Sequence, residues 1–155
     1  MTMVGSLGVG VALAPAIGCR ITDSGNTSIT NNSATIFAFD TERFDTDTMH
    51  DPCDNTKITV PSDGIYAVYA CIFWAFNNSG YRRMGIRVNG TTFISSRAVA
   101  QTLLGSTGNR LCMTSIWLAD ACDYFELEVF QNSGVSLNVL KSADFSPEFS
   151  VIKVN

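Results

Sequence analysis

The densest group of side chains able to do chemistry lies between residues 40 and 54, where Asp40, Glu42, Asp45, Asp47, Asp51 and Asp54 surround the single histidine, His50. Carboxylates at alternating positions suit a calcium ion, which takes six to eight oxygens. Asp45 and Asp47 are the residues such an ion would use. The EF-hand order, with its central glycine and closing glutamate, is absent, so no cofactor is expected and the segment reads as a solvated acidic loop. Phe39, Phe44 and Met49 are placed to anchor it. His50 has no second histidine or nearby serine nucleophile to complete a metal site or a triad. Glu126 and Glu128 share one strand face, but glycoside cleavage needs carboxylates flanking a bond, and two outward residues at period two read more simply as solubilising charge. Neither GxSxG, HExxH nor a P-loop occurs. No catalytic residue is assigned, and an enzyme is not expected.

The rest of the composition points to packing rather than reaction. Of 155 residues, 46% are hydrophobic and only 15% charged, the net charge is −4, and mean hydropathy is +0.17. A chain of this length buries roughly 68–70% of its unfolded surface without staples. With so little charge to cover the outside, some apolar surface needs a partner. Only Arg82, Arg83 and Arg87 cluster among the basic residues. Nucleic acid and anionic membranes, which both require a basic stripe, are therefore not expected as partners.

Five cysteines, Cys19, Cys53, Cys71, Cys112 and Cys122, show no CxxC spacing. The odd number favours free thiols over a disulfide framework. Cys71 and Cys112 lie in apolar strand-like runs and read as small buried hydrophobes. A Cys53–Cys122 bridge, or one using Cys19, stays open.

Residues 1–18 carry no charged side chain and are rich in glycine, alanine and valine. A secretory signal would need a basic start, and a membrane helix would not contain these glycines and Pro15. The expectation is an extended apolar arm over residues 1–19 followed by one domain over 20–155. From Arg20 onward the pattern is strands and turns. Residues 65–76 are apolar at odd and even positions alike, as in a strand covered on both faces. One face holds Tyr66, Val68, Ala70, Ile72, Trp74 and Phe76, the other Ala67, Tyr69, Cys71, Phe73 and Ala75, and either could serve the core. Met84, Ile86 and Val88 alternate with outward arginines, and Asn89-Gly90 is a hairpin signal returning the chain through residues 92–99. Residues 124–130 alternate again. Turns fall at 61–64, 77–80, 105–109 and 132–134. The Asn-x-Ser/Thr patterns at Asn26, Asn31, Asn77 and Asn89 read as turn formers. Eight or more strands at this spacing predict an all-β, two-sheet antiparallel sandwich of Greek-key type.

The runs Phe39-Asp40-Thr41-Glu42-Arg43-Phe44-Asp45-Thr46-Asp47, Met49-His50-Asp51 and Pro61-Ser62-Asp63-Gly64-Ile65-Tyr66 resemble the start of the globular-head family of complement and tumour-necrosis-factor-like proteins, in its phage and prophage form. Gly80-Tyr81-Arg82-Arg83, Ile86-Arg87-Val88-Asn89-Gly90, Tyr124-Phe125-Glu126-Leu127, Gln131-Asn132-Ser133-Gly134 and Ser146-Pro147-Glu148-Phe149-Ser150 extend the likeness. It covers roughly residues 20–155. The resemblance implies a jelly roll of about ten strands, forming a tight homotrimer around apolar and aromatic side chains and carried on a bacteriophage capsid or tail surface. Tyr66, Tyr69 and Phe73 are the expected trimer contacts. With no collagen-like stalk present, Val4, Leu7, Val9, Val11, Leu13 and Ile17 of the arm are expected to fasten the subunit to other virion proteins. The alternatives are a tip that binds a host surface glycan or receptor through the 77–80 and 105–109 loops, and a bacterial secreted or lipid-anchored binding protein.

Overall fold

The computed structural model describes residues 16–100, 108–143 and 147–154, without the side chains of 98–100. The described residues form thirteen strands in two antiparallel sheets, with no helix. One sheet contains β1 (Gly18–Thr22), β2 (Thr27–Ile29), β4 (Thr41–Asp45), β7 (Gly64–Trp74), β10 (Asn109–Ala119), β12 (Leu137–Val139) and β13 (Glu148–Lys153). The other contains β3 (Thr35–Ile36), β5 (His50–Asp51), β6 (Asp54–Thr59), β8 (Tyr81–Val88), β9 (Thr92–Ala100) and β11 (Tyr124–Gln131). Across the first sheet the main run is β4-β1-β13-β7-β10; across the second it is β5-β6-β11-β8-β9. None of the described residues forms a helix long and apolar enough to cross a membrane.

Period-two alternation builds the core. Tyr66, Val68, Ala70, Ile72 and Trp74 project from β7 toward Ile58, Met84, Ile86, Phe125, Leu127 and Val129 of the opposite sheet, and all are buried. Truncating a fully buried ring such as Phe125 to alanine would cost about 3–5 kcal/mol. The choice between the two faces of β7 is thereby made: the even-numbered face is the core. Asn89 and Gly90 both take positive φ, 51° and 68°, the type I′ geometry whose twist suits the β8–β9 hairpin.

One end of the second sheet is closed by polar side chains rather than apolar ones. Arg82 and Gln131 are cross-strand partners, and both are fully buried. Arg82 Nη1 donates to the carbonyls of Ser79 (2.8 Å) and Tyr81 (3.3 Å), and Nη2 to that of Asn77 (3.1 Å). Gln131 Nε2 donates to the carbonyls of Ile29 (3.0 Å) and Val135 (2.8 Å). Two buried side chains thus bond backbone carbonyls of the loops and strand ends around them.

Three expectations change here. Cys71 and Cys112 are not free thiols: they face each other in the β7–β10 register with Cα atoms 4.0 Å apart and form a disulfide. Cys19, Cys53 and Cys122 are free. Phe39 and Met49 are buried anchors, but Phe44 is not; it stands on the exposed side of β4. Finally, β1 begins at Gly18, two residues before the expected start of the domain, because Gly18 and Cys19 pair with Ile152 and Val151.

A candidate self-association face

The first sheet turns its second face to solvent, and alternation dictates which residues it shows. Ile116 pairs with Ala67, Ala67 with Ile152, and Ile152 with Gly18, so a row of small and aliphatic side chains crosses four strands. Leu118 and Ile65 lie opposite each other next to this row. Val154 follows, its N–H donating to the carbonyl of Ile65 (2.8 Å). At the row's far end Phe44 leans over Gly18, where a Cβ would lie 3.5 Å from the ring and 3.3 Å from Ile152. The result is an apolar area exposing Leu118 (72%), Ile116 (69%), Val154 (55%), Ile152 (43%) and Phe44 (41%). Apolar side chains standing together on a sheet face make a patch of the kind that interaction surfaces use.

The other end of the same face is polar but closely packed. Arg20 Nε lies 2.9 Å from Glu148 Oε1, and Ser150 Oγ donates to the same oxygen (3.3 Å). Glu148 and Ser150 are both buried. Tyr69 stands beside them opposite Thr114 and Ser150. Burial, reinforced by the nearby Glu148 carboxylate, pushes its phenol up from the usual value and keeps it protonated. Phe73 carries the Arg110 guanidinium 5.3 Å above its ring.

Of the three contact residues expected from the sequence, Tyr69 and Phe73 therefore lie on the exposed face, half-buried. Tyr66 does not. Its parity differs, it is fully covered in its own chain, and its hydroxyl donates to the Ser62 carbonyl (2.8 Å). It has no surface to offer a neighbour. Ile116 and Leu118, the most exposed residues of the face, were missed: residues 111–118 are apolar at both parities, so periodicity alone does not say which half looks outward. Ile17 packs against the core, and its carbonyl accepts from Lys153 N (2.9 Å). Val4, Leu7, Val9, Val11 and Leu13 lie outside the described residues, as does most of the 105–109 loop.

The acidic segment is organised for turns. The Asp45 carboxylate accepts backbone N–H bonds from Asp47 (3.2 Å), Met49 (3.0 Å) and His50 (2.9 Å). His50, buried, holds Glu42 Oε1 at 2.8 Å through Nδ1. Among the described residues no group of three or more His, Cys, Asp or Glu side chains is arranged for a metal. Glu128 also departs from its expected role as solubilising charge: it is buried between Arg83 Nη2 (2.6 Å) and Arg87 Nη1 (2.9 Å).

Solved structures of low sequence identity share this fold. A structure of Eiger TNF from S. frugiperda superposes with a TM-score of 0.66 at 11% identity, over 92% of this chain and 94% of that one. Murine APRIL at pH 8.0 gives 0.67 at 10% identity, over 90% of this chain and all of the other. The chain has a TNF-like jelly-roll fold. No protein-family model matches the sequence, and no curated protein matches it. At such identities the likeness speaks for the fold alone.

Proposed function

We propose that this chain is a non-enzymatic structural subunit of a bacteriophage particle, a homotrimer whose copies meet through the exposed face of β1, β13, β7 and β10. The observation that carries this reading is the pair Ile116 and Leu118, which leave about 70% of their surface in solvent on β10, the strand that ends the first sheet's main run. Fully burying a large apolar side chain contributes about 1.5–3 kcal/mol, so covering the exposed parts of four aliphatic side chains and Phe44 in every copy supplies a strong drive to associate. Tyr69 and Phe73 add half-buried aromatic area at the polar end of the same face, where aromatic residues are favoured in interface cores. The family resemblance supplies the trimeric stoichiometry and the phage setting.

In this reading the uncharged arm joins the subunit to neighbouring virion proteins. Ile17, held against the core by the Lys153 amide, is where the arm leaves the domain. Deleting residues 1–15 is expected to leave a soluble trimer that no longer enters particles. Undiminished incorporation of the truncated chain would overturn the arm's role, and a monomer from the full chain would overturn the trimer.

A further inference from the structure

The tip of the β8–β9 hairpin is fastened to the turn between β10 and β11 by the Asn89 side chain. Its Nδ2 donates to Asp123 Oδ1 (2.7 Å), and its Oδ1 accepts the Tyr124 N–H (3.0 Å). The Asn89 backbone N–H donates to the Tyr124 carbonyl (3.0 Å). Asp123 is itself held, because its other carboxylate oxygen accepts the Asp120 N–H (3.0 Å). The positive φ of Asn89, 51°, is one that asparagine adopts more readily than most side chains. The amide is thus fixed through both of its polar atoms.

Asn89 is also the only asparagine of the sequence that is followed by glycine. Such a pair is open to an intramolecular reaction. The Gly90 nitrogen attacks Asn89 Cγ, the Cγ–Nδ2 bond breaks, and the Gly90 proton passes to the departing nitrogen, which leaves as ammonia. Water then opens the cyclic imide to a carboxylic acid, as aspartate or as the isomer whose main chain runs through the side chain. Glycine favours the attack because no Cβ shields its nitrogen. Asn89 is exposed and Gly90 half-buried, so water reaches the site. While Asp123 and Tyr124 hold the amide, however, Cγ is not free to swing onto the Gly90 nitrogen. Reaction requires those bonds to open, which is a local event and not global unfolding.

We infer that Asn89 is a self-modification site that the fold holds closed, and that its deamidation after the hairpin tip opens prevents the tip from closing again. Conversion replaces the donor that faces Asp123 with a second carboxylate. Two like-charged oxygens then occupy positions that lie 2.7 Å apart in the closed geometry, and the bond becomes a repulsion. Glu126 adds a third carboxylate, its Oε2 3.7 Å from where a Gly90 Cβ would stand. Lys57, over the Tyr124 ring, is already paired with Asp54 (2.5 Å). Opening is therefore reversible before the reaction and costly to reverse after it. The site draws on none of the side chains of the aliphatic face, so it stands independently of self-association.

The test is peptide mass spectrometry of the full chain aged in mildly alkaline buffer, folded and in denaturant, reading the amide-to-acid mass gain at Asn89. Conversion is expected to be about a hundredfold slower in the folded chain, the size of two lost hydrogen bonds, one of them to a carboxylate. Asp123→Ala should raise the folded rate about tenfold. Equal rates in the folded and denatured chains, or no rise in Asp123→Ala, overturns the lock. The second half is read without ageing and serves if Asp123→Ala disturbs the turn. Asn89→Asp should lower the denaturation midpoint and speed amide exchange at Asn89 and Tyr124. Adding Asp123→Asn should restore both, since an amide at position 123 donates to the new carboxylate while its oxygen keeps the Asp120 N–H. An Asn89→Asp chain as stable as the natural one, or a pair no better than the single substitution, overturns the block on reclosing.

Discussion

On the exposed face of the first sheet, Ile116 and Leu118 stand about 70% in solvent, while on the exposed face of the second, Arg83, Arg87 and Glu128 occupy the positions that point outward. Both faces are built by the same two-residue period and both lie over the same core. They differ in what water does to them. The aliphatic face loses free energy for as long as it stays wet, whereas the ion-paired face is already satisfied by its own side chains. One jelly roll thus presents an apolar side and an ion-paired side, and in the proposed trimer the orientation of the subunits would follow from that asymmetry.

The largest effect is expected from attacking the aliphatic face. Ile116→Asp or Leu118→Asp places a carboxylate where another copy would bury it, costing about 3 kcal/mol or more per chain in association. Stability of the isolated chain should change by only about 0.5 kcal/mol, because both sites are exposed there. Analytical ultracentrifugation against denaturant melts separates the two quantities. A trimer that survives both substitutions would place the interface elsewhere.

Next in size is the disulfide on that same face. Reducing Cys71–Cys112 is expected to lower stability by roughly 2–4 kcal/mol. Thiol titration of the folded protein should read Cys53 and Cys122 quickly. Cys19 should react slowly, since burial, with Asp45 and Glu42 nearby, pushes its thiol up to about 12. Five thiols appearing without reductant would contradict the bridge.

A smaller change is expected on the ion-paired face. Glu128→Ala removes the one carboxylate shared by Arg83 and Arg87, whose side chains are 35% and 21% exposed. Water then takes over part of their solvation, so the loss is about 1–2 kcal/mol in chemical denaturation, with no change in native mass. Dissociation on this substitution would erase the contrast between the faces. The smallest effect belongs to Glu126. Its folded pKa is raised by burial, so the folded chain keeps the proton longer than the unfolded one. Its contribution is fully present below the ordinary 4.5 and fades as pH rises through the raised value. Stability of Glu126→Gln should accordingly lack that decline, showing a slight gain over the natural chain at neutral pH.

Much of the architecture is legible in residues. The β8–β9 hairpin follows from Met84, Ile86 and Val88 alternating before Asn89-Gly90, and the apolar character of both faces of β7 follows from its unbroken apolar run, although only the even-numbered face is covered within the chain. Parity also marks Arg82 as inward, sharing the even positions of Met84 and Ile86, though arginine is so rarely buried that its type argues the other way. What alternation does not reveal is which of two apolar faces meets the core. That ambiguity grouped Tyr66 with Tyr69 and Phe73, and hid Ile116 and Leu118 within β10. The Cys71–Cys112 bridge was illegible for another reason: the pairing depends on the register between strands 41 residues apart, which no local pattern carries. Gly85, unremarkable in sequence, matters only because Phe93 from the next strand comes to lie on it.

The central claim is that the aliphatic face is covered by further copies of this chain. Native mass spectrometry of the purified protein at sub-micromolar concentration tests it most directly. The account predicts a species of three times the 16.8 kDa chain mass, converted to single chains by Leu118→Asp. A natural chain that runs as a stable monomer would contradict it.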